Sequence, residues 1–307
     1  MKLLRHLQPL PVSAAGCIAT IGNFDGLHRG HQQVIRLVQA KAAECGLPAT
    51  VVSFEPLPAE YFRTPPPTRI LPLRDKLHQL DAMGVDQFVC LSFRQALAEM
   101  EAETFVQSIL LDGLRVKCLV VGDDFRFGRQ RRGDYQLLTA MGAQQGMQVI
   151  DIPTFLQADE RVSSTWVRKA LAAGDLATTA DLLGMPYGLS GRIRHGDKRG
   201  RTIGFPTLNL RIPENVALRK GVYAVRIKGL GEQPLTGVAN LGTRPTVNGL
   251  ESRLEVHVFN FAAQVYQQHV HVEPVHFIRD EQRFSSLDAL QQQIAKDVEQ
   301  AKSLLHT

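Results

Sequence analysis

Apolar residues follow two different rhythms along this chain, and the rhythm changes near residue 185. In the first part, apolar runs at Cys17–Ile21, Ala49–Phe54, Val85–Leu91, Leu114–Val121 and Met147–Ile152 predict strands. These runs mostly lack strict polar alternation, as expected for strands covered on both faces. After the first run, Val34, Ile35, Leu37, Val38 and Ala42 fall at helical spacing. Leu73–Met83, Ala102–Leu111 and Gln136–Gln144 predict further helices. Strands alternating with helices predict βαβ units and an open parallel sheet. Tyr61–Pro72 contains Pro65, Pro66 and Pro67 and predicts an extended loop.

The second part alternates differently. Gly221–Lys228, Leu235–Leu241, Arg253–Phe261 and Val270–Ile278 predict strands separated by turns, with no helices between them. Leu254, Val256 and Val258 alternate with Arg253, Glu255 and His257, so one face packs and the other is exposed or lines a site. Short strands of this kind predict a small barrel. Ser285–Leu305 departs, with Leu287, Leu290, Ile294 and Val298 at helical spacing, and predicts a terminal helix on the barrel. Short helices over 171–183 end at Gly184-Met185-Pro186-Tyr187-Gly188, which predicts domains of 1–185 and 186–307.

Ligands of an open parallel sheet bind beyond the carboxyl ends of its strands. The stretch after the first of these strands, GNFDGLHRGH over 22–31, reads as a Gly-rich turn opening a helix. A helix start offers unpaired amides and partial positive charge, which suit phosphate. His28 and His31, straddling Gly30, add donors there. GDDFRFG over 122–128 also follows a strand, and Asp124 reads as a metal or ribose ligand or as part of an acidic turn. Ser163-Ser164-Thr165 reads as a helix cap or, with Arg168, as a second phosphate site. Phe54, Pro56 and Phe62 lie at a strand's carboxyl end, as core or as ligand platform.

In the second part, GRIRHGDKRGRTIGFPTLN over 191–209 carries glycines at 191, 196, 200 and 204 and five basic residues. It reads either as a phosphate-covering loop or as a basic surface hairpin, and it is not a GxxxxGK[ST] loop. Thr207 and Asn209, two residues apart, put two oxygen ligands on one side of a strand.

Composition narrows these readings. The 307 residues suit two domains, and 44% hydrophobic with 21% charged content suits ordinary packed cores. No run is long and apolar enough to cross a bilayer, and the N-terminal stretch makes a poor secretory signal. Cys17, Cys45, Cys90 and Cys118 show no metal or disulfide spacing and predict free thiols in a reducing cytoplasm. The net charge of +5 concentrates at Arg126–Arg132 and Arg192–Arg201, on glycine loops that suit small phosphorylated ligands as well as nucleic acid.

Taken together, GNFDG and His28-Arg29-Gly30-His31, GDDFRFG and SSTWVR resemble the nucleotidyltransferase half of the bacterial bifunctional riboflavin kinase/FAD synthetase family. GFPTLN (204–209), GVYAV (221–225), GVANLGTRPTV (237–247), LEVHVFNF (254–261) and FIRDEQRF (277–284) resemble its flavokinase half. The resemblance spans about residues 16 to 300. It implies a Rossmann-like α/β adenylyltransferase domain followed by a six-stranded β-barrel and terminal helix. It also implies two Mg2+- and ATP-dependent reactions, riboflavin to FMN and FMN to FAD.

By that resemblance His28, His31, Gly22, Phe24, Gly30, Asp124, Ser164, Thr165 and Arg168 serve the ATP of adenylyl transfer, and Phe54, Pro56 and Phe62 form its flavin edge. Glu255 is implied as kinase base, Thr207 and Asn209 as Mg2+ ligands, and Gly191, Gly196, Lys198 and Gly200 as parts of a loop over ATP. Arg279 and Phe284 are implied to close over flavin. Three positions depart from the family pattern: Asp124 stands for a frequent Asn, Leu208 for Ala and Asn260 for Asp. The implied partners are small molecules, with no nucleic acid and no membrane, in a cytoplasmic monomer or weak homo-oligomer. Glu255 with Thr207 and Asn209 counts against the nucleic-acid alternative.

Overall fold

A computed structural model of the chain describes residues 1–5, 15–122, 124–153, 155–157, 160–194, 204–246 and 249–306. Contacts divide it into two compact units, residues 1–67 with 76–164, and residues 68–75 with 165–307. A boundary read at 185 thus differs from the spatial division, in which 68–75 and 165–185 group with the second unit.

The first unit is a six-stranded parallel sheet. Its strands are β1 (Lys2–Arg5), β2 (Cys17–Ile21), β3 (Ala49–Glu55), β4 (Gln87–Ser92), β5 (Val116–Gly122) and β6 (Gln148–Ile152). They lie in the order β1-β4-β3-β2-β5-β6. Both faces are covered, as the continuous apolar runs require. Cys17, Ala19 and Ile21 of β2 join one core, while Ile18 joins the other with Val38 and Ala42 of the first helix. β1, not foreseen, pairs with β4 at the sheet edge and buries Leu4.

Helix α1 (Arg29–Cys45) begins on a His28 cap and ends at Gly46 in the left-handed conformation. It buries Ile35, Val38 and Ala42. The unit continues with α2 (Pro58–Phe62), α3 (Leu73–Ala82, which belongs to it from Lys76 onward), α4 (Gln95–Ala98) and α5 (Ala102–Phe105). α2 occupies part of the stretch read as loop. The helix expected over 102–111 changes register after Phe105 and runs as a π-helix over Val106–Gly113. A side-chain bond from Gln107 Nε2 to Asp112 Oδ1 (2.9 Å) spans five residues, the π-helical repeat. α6 (Tyr135–Gln145) is capped by Asp134, which accepts from the Leu137 amide. A short hairpin, β7 (Leu156–Gln157) and β8 (Glu160–Arg161), precedes α7 (Ser164–Ala173).

The second unit holds α8 (Leu176–Leu183) and a closed antiparallel barrel. The barrel comprises β9 (Leu189–Arg194), β10 (Leu208–Ile212), β11 (Gly221–Lys228), β12 (Leu235–Thr246), β13 (Gly249–Val258) and β14 (His269–Arg279). Around the barrel they run β10-β13-β12-β11-β14-β9. β11 is apolar on both faces for a reason. Tyr223, Val225 and Ile227 are fully buried on one side, while Val222 and Ala224 pack with Val298, Ala301 and Leu305 of α9 (Leu287–Leu305) on the other. Residues 68–75 attach to this unit: Arg69 donates its amide to Asn215 O and accepts from the Ala217 amide, and Tyr187 Oη donates to Ile70 O.

Gly221 opens β11 at φ +145°, and an added Cβ would lie 2.4 Å from Arg279 O. Gly221→Ala is therefore expected to destabilise the second unit by on the order of 1–3 kcal/mol, read as a lower denaturation midpoint.

Candidate active sites

In the first unit the sheet order reverses between β2 and β5, the place where open parallel sheets bind ligands. The turn leaving β2 is tightly constrained. Phe24 and Leu27 adopt left-handed backbone at φ 46° and 47°. Both side chains are buried, which compensates for that strain. Asn23 O accepts from Ser53 Oγ (3.1 Å) and from Lys76 Nζ (2.7 Å), and Asp25 O accepts from Ser164 Oγ (2.8 Å).

His28 and His31 meet at the start of α1. Their rings stack with centroids 3.6 Å apart, and the His31 amide donates to His28 Nδ1. A Cβ on Gly30 would lie 3.3 Å from the His28 ring, so Gly30 makes room for that ring. Phe24 closes the other side, 5.1 Å from His31. His31 Nδ1 is buried without a hydrogen-bond partner. Burial, helped by the charges of His28 and Lys76, holds the His31 imidazole well below its ordinary range. Two imidazoles at a helix start, one with an unmatched nitrogen, suit an incoming oxyanion.

Other predicted residues of this unit lie as follows. Asp124 is exposed and pairs with Arg161 at 2.7 Å, a partner that sequence reasoning did not single out. Gly22 ends against the Phe24 ring, 3.2 Å from where its Cβ would be. Phe54 is buried edge-on to Phe93 at 5.7 Å, while Phe62 is 65% exposed and contacts Phe93 and Tyr61. Pro56 follows a cis peptide bond and is exposed. The result is an aromatic surface at the end of β3. On α7, Ser164 is tied to the first unit's turn. Thr165 and Arg168 group with the second unit, where Arg168 Nε donates to Thr68 O at 2.6 Å. Lys76 and Ser53 went unnoticed in the sequence, because a lysine in a helix and a serine in a strand carry no motif signal.

The barrel carries a cavity of about 530 Å³. Asn209 of β10, Glu255 of β13 and Asn240 of β12 stand in register across three adjacent strands and line it with Thr207. Asn209 is 7% exposed, and its Oδ1 has no hydrogen-bond partner. An orphaned, buried amide oxygen beside a carboxylate and a hydroxyl is a donor set that fits a hard divalent cation. Glu255 lies 3.8 Å from Arg253 and stays partly exposed. Leu208 has the parity of the barrel-buried Leu210, so this departure leaves the Thr207/Asn209 face unaltered. Asn260 holds a left-handed turn at φ 52°, a conformation that Asn accepts.

On the cavity's helix side, Arg279 makes a two-pronged ion pair with Asp297 of α9, with distances of 2.9 and 2.7 Å. Its guanidinium lies 5.8 Å from the Phe284 ring centre. Arg279 is thus already engaged, which sequence reasoning did not show. Gly191 needs correction. It lies within β9, buried, and a Cβ there would be 3.1 Å from Leu210, so its smallness serves strand packing rather than a loop. Gly196, Lys198 and Gly200 lie outside the described residues.

A phosphate-oriented α/β unit and a cation-suited barrel define a two-module group-transfer enzyme. Residues 10–166 match the FAD synthetase family, and residues 183–305 match the riboflavin kinase family. The chain is 48% identical to the bifunctional riboflavin kinase/FMN adenylyltransferase of Escherichia coli K12, over 97% of this chain and 96% of that one. It is 45% identical to the Haemophilus influenzae enzyme of the same name over the full length of both. The crystal structure of a chain named as a macrolide-efflux protein from Streptococcus pneumoniae superposes with a TM-score of 0.79. That chain is 28% identical, with 97% of each chain covered. The chain belongs to the bifunctional riboflavin kinase/FMN adenylyltransferase family.

The state of His31 sets a pH dependence. Its folded value is depressed, so the unfolded chain takes up a proton first as pH falls below about 6.5. Its contribution is present above that pH and declines below it, by at most about 1.4 kcal/mol per pH unit. Urea denaturation of the first unit at pH 7.5 and 5.5 is expected to show a smaller acid loss in His31→Asn than in the parent.

Proposed function

We propose that this chain makes FMN at the barrel cavity and FAD at the carboxyl edge of the parallel sheet, each from ATP. The observation that carries the reading is the barrel row in which Glu255 stands beside Asn209, whose carboxamide oxygen is buried and unpaired. As functional modules we place the adenylyltransferase in 1–185 and the kinase in 186–307. Family matches over 10–166 and 183–305 support that division.

In the kinase step the ribityl 5′-hydroxyl attacks the γ-phosphorus and ADP leaves. That hydroxyl is a weak nucleophile at neutral pH. Glu255 accepts its proton as the new P–O bond forms. Thr207 and Asn209 would hold Mg2+, which would screen phosphate charge when bound. Phe284, beside the tethered Arg279, flanks the flavin end of the cavity. Gly196, Lys198 and Gly200 belong to the phosphate-covering loop in this reading.

Adenylyl transfer makes different demands. The FMN phosphate is already ionised, so it needs no strong base. It attacks the α-phosphorus of ATP, and pyrophosphate leaves. Catalysis then rests on alignment and on neutralising the leaving charge. His28, His31 and the first amides of α1 supply donors, with Gly22, Phe24 and Gly30 shaping the turn. By the family resemblance Ser164, Thr165 and Arg168 are assigned to the same polyphosphate, and Asp124 to the nucleotide or its metal. The aromatic surface of Phe54, Pro56 and Phe62 receives the isoalloxazine ring.

Small-molecule substrates rather than nucleic acid account for basic charge carried on glycine loops. Four free cysteines, three of them buried, support a reducing, cytoplasmic setting. Among the described residues no helix is long and apolar enough to cross a membrane. A monomer or weak homo-oligomer completes the reading.

The test is product analysis with ATP and Mg2+, starting from riboflavin and separately from FMN. His31→Ala is expected to lower FAD formation at least a hundredfold and FMN formation less than threefold. Glu255→Ala should do the reverse. Chelation of divalent cations should abolish phosphorylation of riboflavin. Equal losses of both reactions in either variant would contradict this assignment.

A further inference from the structure

The first unit buries a lysine that the reading above does not use. Lys76 lies in α3 and is 2% exposed, among the largest fully buried side chains of the protein. A buried ammonium is costly unless its donors are matched, so its retention calls for a reason. Its Nζ reaches Asn23 O at 2.7 Å and Ser53 Oγ at 3.5 Å. Ser53, itself fully buried in β3, also donates to Asn23 O, at 3.1 Å. Two donors from separate elements therefore converge on one carbonyl. That carbonyl belongs to the turn between β2 and the paired histidines, one residue before the left-handed Phe24. The same charge lies close enough to His31 to act on it.

We propose that Lys76 is a positioning residue for adenylyl transfer: through Asn23 it clamps the strained turn that presents His28 and His31 to phosphate. This rests on the first unit being the FMN adenylyltransferase. Geometry carries the clamp. A carbonyl that accepts from two buried donors cannot rotate without giving up both bonds, so the backbone around Phe24 is held in a conformation it would otherwise leave. Electrostatics adds the second effect. A positive group buried near the turn disfavours a second positive charge on the His31 ring. It also attracts the polyphosphate that docks there. Burial is the largest cause of the low His31 value and His28 the next, and Lys76 adds to both.

The test compares Lys76→Met, which keeps length and loses charge, with Ser53→Ala, which removes one donor and keeps charge. Lys76→Met is expected to lower kcat for FAD formation at least tenfold, with KM for ATP changed less than threefold. Riboflavin phosphorylation, measured on the same sample, should stay within twofold of the parent. NMR titration of the imidazoles should show the His31 midpoint rising in Lys76→Met and unmoved in Ser53→Ala. A merely structural lysine would not move that midpoint. Ser53→Ala is expected to lower kcat three- to tenfold, and this variant decides the matter should Lys76→Met unfold the first unit. Parent-like FAD formation in either variant, or an unmoved His31 midpoint in a folded Lys76→Met, overturns the proposal. If the parent protein forms no FAD from FMN and ATP, the functional reading itself fails and the clamp falls with it.

Discussion

A sheet whose strands all point the same way collects every strand end at one edge, and the first unit depends on that constraint. Each parallel connection must cross over, so helices cover both faces and leave only the carboxyl edge for ligands. The chain then places its least tolerant backbone there. Phe24 and Leu27 sit in left-handed conformations in the turn leaving β2, and the stacked imidazoles follow directly. Buried donors from β3 and α3 hold that turn from beneath. The surface proposed to face phosphate is thus a consequence of sheet polarity, with tertiary hydrogen bonds keeping it in shape.

The barrel solves a different problem. Closure removes free strand edges and gives each strand a buried side, so functional groups are confined to the other side. Leu254 and Val256 point inward, and Glu255 between them faces the cavity, in line with Asn209 and Asn240. α9 then roofs part of that face and ties itself down through Asp297. One strand periodicity accounts for both the core and the polar row that lines the cavity.

Much of this was legible in the sequence. Continuous apolar runs marked strands buried on two faces, and Leu254–Val258 alternation marked a one-sided barrel strand. The glycine- and histidine-rich turn announced itself because few other chemistries need those residues together. What escaped notice was mostly long-range. Lys76 and Ser53 meet Asn23 only after α3 and β3 are packed, and nothing local distinguishes them. Arg279 looked available to a ligand until Asp297, eighteen residues later on a helix, was seen to occupy it. Gly191 sat in a basic glycine-rich stretch, yet its backbone had already joined β9. The π-helical register after Phe105 lies below the resolution of apolar spacing, which cannot separate close helical repeats.

The ion pair between Arg279 and Asp297 also decides what Arg279 is for. Both oxygens of Asp297 are held by its guanidinium, which fastens the end of β14 to α9. Arg279 is therefore a strut that keeps the helix against the cavity wall, with its charge already spent inside the protein.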